Sequence, residues 1–164
     1  MRGLFTLLAT VALISVGATE IVMSISFDRQ IGGHLKRAAD ANTIELALSE
    51  MNTAVTKMEE KGLTSGYTSI VYRTPDEDIG FWYKNLKASR DELASLPTAT
   101  TTPLERSNML IKLRETLLDQ GKSGVSVTAP EGISRYPNNG ILLLLLVVTL
   151  IATVVSWFSL LDEY

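Results

Sequence analysis

The chain has no cysteine and one histidine, His34. The first absence excludes disulfides and thiolate metal sites, and it fits either side of a membrane. The second excludes a multi-histidine metal centre. No carboxylate or second imidazole stands at ligand spacing within the same turn, so His34 reads as a surface polar residue and no metal is expected. A single histidine also gives little to build a Ser–His–Asp set around. Positive charge is scarce: 15 Lys and Arg against 18 Asp and Glu leave a net charge of −3. That balance lacks the basic field that nucleic-acid binding requires. Gly121-Lys122-Ser123 looks like the end of a phosphate loop, but the pattern needs a glycine where Thr116 stands. These absences lead to the expectation of a protein that is not an enzyme and holds no cofactor.

Charge is missing altogether from residues 140–161, which include ILLLLLVVTLIATVVSWFSLL, and residues 3–27 are interrupted only by Glu20. An apolar run of roughly 18 residues or more is long enough to cross the ~30 Å hydrocarbon core as a helix. The expected fold class is therefore a mainly α membrane protein. Two transmembrane helices, 3–27 and 140–161, flank a soluble helical head at 28–139, which carries three helices and a short two-stranded β element. The start also has the features of a signal peptide: Arg2, an apolar stretch, and the small residues Val16-Gly17-Ala18. Because the apolar run continues through Ile25, an uncleaved signal anchor is expected. Two spans put both ends on one side. The signal-like start favours cytoplasmic termini and an extracytoplasmic head in a bacterial inner membrane. Arg29, Lys36, Arg37 and Arg135 on the head side argue the other way, although the positive-inside bias weakens for loops longer than about 60 residues.

Helix 1 is expected to run out of the first span, with Gly32-Gly33 as a hinge. Beyond it Ala41, Ile44, Leu48, Met51, Val55 and Met58 recur three or four residues apart, a seam for packing against another helix of the head or of a second chain. Gly62 is placed to end that helix. Residues 67–73 (YTSIVYR) and 124–128 (GVSVT) are the expected strands, paired with each other. Thr74-Pro75-Asp76-Glu77 and Thr102-Pro103-Leu104-Glu105 are two copies of one helix-start device: a Thr cap, a Pro where no N–H partner is needed, and a Glu closing a capping box. The helices they open carry Ile79, Trp82, Leu86, Leu93 and Leu96, then Leu110, Leu113 and Leu117. Pro97 and Gly121 are expected to end them, with a linker at 98–102 between.

Three features stand out as candidate sites. Glu20 is a carboxylate inside an apolar span, where it must face protein or water. Counting inward from the head-side ends of both spans pairs it with Thr149, the first of a polar stripe with Thr153 and Ser156 that Thr6, Thr10, Gly17 and Ala18 could meet. The seam Ile44, Leu48, Met51, Val55 and Met58 is the second. The third is Phe81-Trp82-Tyr83, a candidate partner surface with Trp82 expected in the core.

The span–head–span order is similar in layout to the four-helix sensor domains of bacterial chemoreceptors and sensor kinases. That likeness implies ligand sensing by the head. Such receptors need an output domain and only Asp162-Glu163-Tyr164 follow the second span, so a sensor of this kind would signal through a partner. The leading expectation is a membrane accessory or scaffold subunit. Its partners would be the lipid bilayer and either copies of itself, as a homo-oligomer, or other membrane proteins. Ligand sensing and holin-like permeabilisation are the alternatives.

Overall fold

The computed structural model describes residues 2–71, 73–97, 101–121 and 124–161. The chain is mostly helical, with two helices long and apolar enough to cross a membrane and a small two-stranded sheet. The first of these, α1 (Arg2–Phe27), does not stop where the apolar run stops. It passes through a π-helical turn, Asp28–Gly32, into α2 (Gly33–Ala39), giving an unbroken helical rod over Arg2–Ala39.

Gly32-Gly33 is thus not a hinge. Phe27, Ile31, Leu35 and Ala39 are four apart and all buried. A spacing of four drifts round an α-helix of about 3.6 residues per turn. The wider i→i+5 turn takes up that drift and keeps the row facing one way. In the same turn the N–H of Gly33 bonds the carbonyl of Asp28, and a Cβ on Gly33 would stand 2.9 Å from that oxygen. Glycine is needed there for room, since its φ is an ordinary −61°.

The break comes later, between Ala39 and α3 (Ile44–Glu60), where Thr43 caps the new helix by accepting from Leu46 N. α3 folds back along α2. It ends as expected at Gly62, whose φ of 70° lets its N–H reach Glu59 O while Leu63 N reaches Met58 O. The seam is a helix face of its own and not a continuation of helix 1. Met51, Val55 and Met58 are wholly buried, together with Ala47 and Ala54. Ile44 and Leu48 pack against this core from its edge.

The first Thr-Pro-x-Glu device forms its capping box, but it opens only a single 3-10 turn, Pro75–Glu77. Asp78 is the true cap of α4 (Ile79–Ala94), accepting from Phe81 N at 3.0 Å. The second device caps α5 (Pro103–Leu117) directly, with Thr102 and Glu105 exchanging bonds. α5 ends at Leu117, four residues short of Gly121, because the chain goes straight into strand β1 (Leu118–Gly121). This strand pairs antiparallel with β2 (Gly124–Val127), Leu118 opposite Val127.

The expected pairing of 67–73 with 124–128 therefore does not occur. A partner strand that follows two residues later in the chain closes a far shorter loop, and of residues 67–71 and 73 only Tyr67 makes a bridge, to Asp78. Residue 72 and most of the expected linker, 98–100, lie outside the described residues. A 3-10 turn, Ile133–Arg135, leads into α6 (Asn139–Leu161), which returns antiparallel along α1.

One core joins these pieces: Phe27, Ile31 and Leu35 from the rod, the α3 face, Ile79, Trp82, Leu86 and Leu93 of α4, Leu113 and Leu117 of α5, and Leu63 and Ile133 from the connections. Exposed ion pairs tie its edges, Arg114 to Asp40 at 2.9 Å and Lys112 to Glu92 at 2.7 Å, and pairs of that kind contribute little. Met51→Ala is expected to cost about 2–5 kcal/mol of stability. Leu46→Ala on the exposed face of the same helix should stay within about 0.5 kcal/mol. Denaturant unfolding of the full chain in mild detergent measures both.

Candidate functional site

The two long helices meet along a seam of small and hydroxyl side chains. Thr6 Oγ1 lies 3.3 Å from the carbonyl of Ser156, and Trp157 Nε1 donates to Thr10 Oγ1 at 3.3 Å. Thr6, Ala9, Thr153 and Ser156 are buried there, while most of the large apolar side chains of both helices point outward. Hydroxyls that bond the carbonyl four residues back, as Thr10 does to Thr6 and Thr153 to Thr149, leave no unpaired donor in an apolar setting. Within the expected stripe, Ser156 is met at its carbonyl by Thr6, while Thr10 accepts from Trp157. Gly17 and Ala18 do not join it, since nothing stands within 4 Å of a Cβ on Gly17 and Ala18 is exposed.

Glu20 does not face Thr149. The register set by Thr6 and Ser156 brings Glu20 level with Leu142, one turn inside α6, while Thr149 bonds the carbonyls of Leu145 and Leu146. Counting from the ends of the apolar runs misplaces the pair because α1 projects past the start of α6 to reach the head. The partner of Glu20 is Arg135, at the end of the turn that precedes α6, with Nη1 3.6 Å from Oε2. The Glu20 side chain is 18% exposed, and its Oε1 is buried with no hydrogen bond among the described residues. Nothing in the sequence pattern marks Arg135 as this partner beyond its sign and its place beside the second span.

The aromatic triplet divides three ways. Trp82 is buried: its ring tilts at 35° to that of Phe27, with centroids 6.5 Å apart, and its Nε1 donates to Thr128 O at 2.5 Å. It joins the rod, α4 and the end of β2. Tyr83 is half-buried and donates from its hydroxyl to Glu59 at 2.6 Å. That bond, with some burial and the carboxylate's charge, raises its pKa above the ordinary 10.0. Only Phe81 is offered to solvent, 63% exposed. It stands at the lip of a cleft of about 530 Å3 lined also by Asp76, Asp78, Asn85, Asp119 and Pro130. Of the three residues expected as a partner surface, only Phe81 is largely exposed, and it lines this cleft.

His34 is not a lone surface residue. Its Nδ1 lies 2.6 Å from Glu50 Oε2, and Arg37 holds the other oxygen of the same carboxylate. Glu50 belongs to the next helix, so no local spacing announces it. Among the described residues no group of three or more His, Cys, Asp or Glu is placed to hold a metal ion.

Two outcomes test these contacts. Arg135→Ala should destabilise the chain more in the native background than in Glu20→Gln, with a coupling of about 0.5–3 kcal/mol from a double-mutant cycle in detergent; equal effects would mean no pair. Tyr83 should ionise above the normal tyrosine midpoint, read as the phenolate absorbance lost in Tyr83→Phe. Because its folded pKa is raised, the stability it adds is full below the unfolded value near 10 and fades as pH rises through the folded one. Compared with protein-family models, curated proteins and solved structures, the chain matches none.

Proposed function

We propose that the chain is a non-catalytic membrane component: the α1–α6 hairpin anchors it in a bilayer, and the head presents the Phe81 cleft to a partner. The observation that carries this reading is the division of surfaces in the hairpin. Thr6, Ala9, Thr153 and Ser156 are buried between its two helices, and Leu4, Leu7, Ile14, Ile21, Leu144, Ile151 and Val155 are left facing out. Such a surface suits lipid or another membrane helix and would not persist in water. The seam on α3 is consumed within the head, so assembly with copies or partners would use the outer faces of the hairpin or the cleft. In this reading the head is extracytoplasmic and both termini are cytoplasmic, in keeping with the signal-like start.

The cleft also favours a second reading, a sensing module, because an exposed aromatic beside carboxylates is suited to a cationic group. Native mass spectrometry of the gently extracted assembly, with identification of every bound species, separates the two. A homo-oligomer or a defined complex with other chains supports the component reading. A monomer carrying a small molecule supports sensing, and a bare monomer overturns the first reading.

A further inference from the structure

Two branched apolar residues in the loop after α3 are exposed without belonging to any core: Ile70 at 58% and Val71 at 79%. Their position is what makes them informative. Ile70 is seated on the first turn of α6, so close that a Cβ on Gly140 would lie 2.8 Å from Ile70 Cδ1. Gly140 is where the uncharged run of α6 begins, so Ile70 stands at the edge of the apolar band.

The base of the loop is tied down. Ile79 N bonds Gly66 O at 3.0 Å, Thr68 N bonds Glu77 O at 3.1 Å, and Thr68 is buried. The ring of Tyr136, the residue next to Arg135, closes over Gly66. The height of the tip relative to the hairpin is therefore fixed by the same segment that enters α6. Two residues beyond Val71, the guanidinium of Arg73 stands 5.8 Å over the Tyr67 ring. Apolar tips beside a cation are the composition of an interfacial membrane contact: the apolar groups sink about 5–10 Å into the boundary of headgroups and acyl chains, and the cation stays with the phosphates.

We propose that the loop at 68–71 is a second membrane contact, with Ile70 and Val71 inserted into the lipid interface beside the head-side end of α6 and Arg73 among the phosphates. The occupant is a lipid surface because the patch continues the outward apolar face of the hairpin at the level where that face ends. The proposal rests on the hairpin crossing a bilayer.

The lack of cysteine makes the test direct. Val71→Cys, Leu104→Cys and Leu150→Cys are made one at a time in the full chain, labelled with an environment-sensitive fluorophore, and placed in phosphatidylcholine–phosphatidylglycerol vesicles containing nitroxide-labelled lipids. Leu104 is 70% exposed at the start of α5, and Leu150 faces outward on α6. The Val71 probe should emit to the blue of the Leu104 probe and be quenched several-fold more, most strongly by nitroxide near the headgroup. The Leu150 probe should respond to nitroxide deep in the chains. If Leu150 is quenched and Val71 behaves like Leu104, the loop contact is overturned and the anchor stands. If Leu150 is not quenched, the anchor itself is overturned and the loop contact falls with it.

Discussion

The structure depends on one helix serving both the hairpin and the head. Over Arg2–Ala39 the same rod is outward-apolar along most of its length and core-forming at its end, with no loop between. The outward-facing and core-facing parts of the rod are both apolar, so the hydrophobic pattern carries across the junction and only the surroundings change. The π-helical turn makes the change possible. It adjusts the phase of the rod by a fraction of a turn, enough to bring Phe27, Ile31 and Leu35 into one row against α3 and α4. Head and hairpin are coupled through side-chain packing and not through a tether.

Trp82 shows how far that coupling reaches. Its ring meets Phe27 of the rod, its N–H holds the chain just after β2, and its neighbour Phe81 stands at the cleft. A buried tryptophan that satisfies its polar atom fixes the orientation of everything it touches. Within the hairpin, the carboxylate of Glu20 has the corresponding role. It is tolerated where it lies because Arg135, leading into α6, is brought to it by the return of the chain.

What can be read from the sequence is what short-range chemistry determines. The Thr102–Glu105 box, the stop at Gly62, the burial of Trp82, Leu86 and Leu93, and the strand near 124–128 all follow from residues within a turn or two of one another. Thr74-Pro75-Asp76-Glu77 forms its box too, yet Asp78 is the better cap and takes the helix start. The differences concern where separate segments meet. Residues 67–71 and 73 have the composition of a strand, but the partner expected for them, β2, pairs instead with β1, its neighbour along the chain. Pairing Glu20 with Thr149 presumes that the two apolar runs begin level, and they do not, since α1 goes on into the head. The periodicity of Met51, Val55 and Met58 reports a buried face without naming the surface that buries it. The ties from Glu50 to His34 and from Arg135 to Glu20 are long-range and leave no local mark.

The continuity of the rod also changes what counts as a separable unit of this protein. Polarity draws the border of the head at Asp28, but Phe27 is among its core residues and the chain crosses that line in the middle of a helix. A fragment cut there would begin inside a π turn, with Trp82 facing water where a ring had been. The piece that can be excised is set by packing, and in this chain it includes the head-side turns of the first long helix.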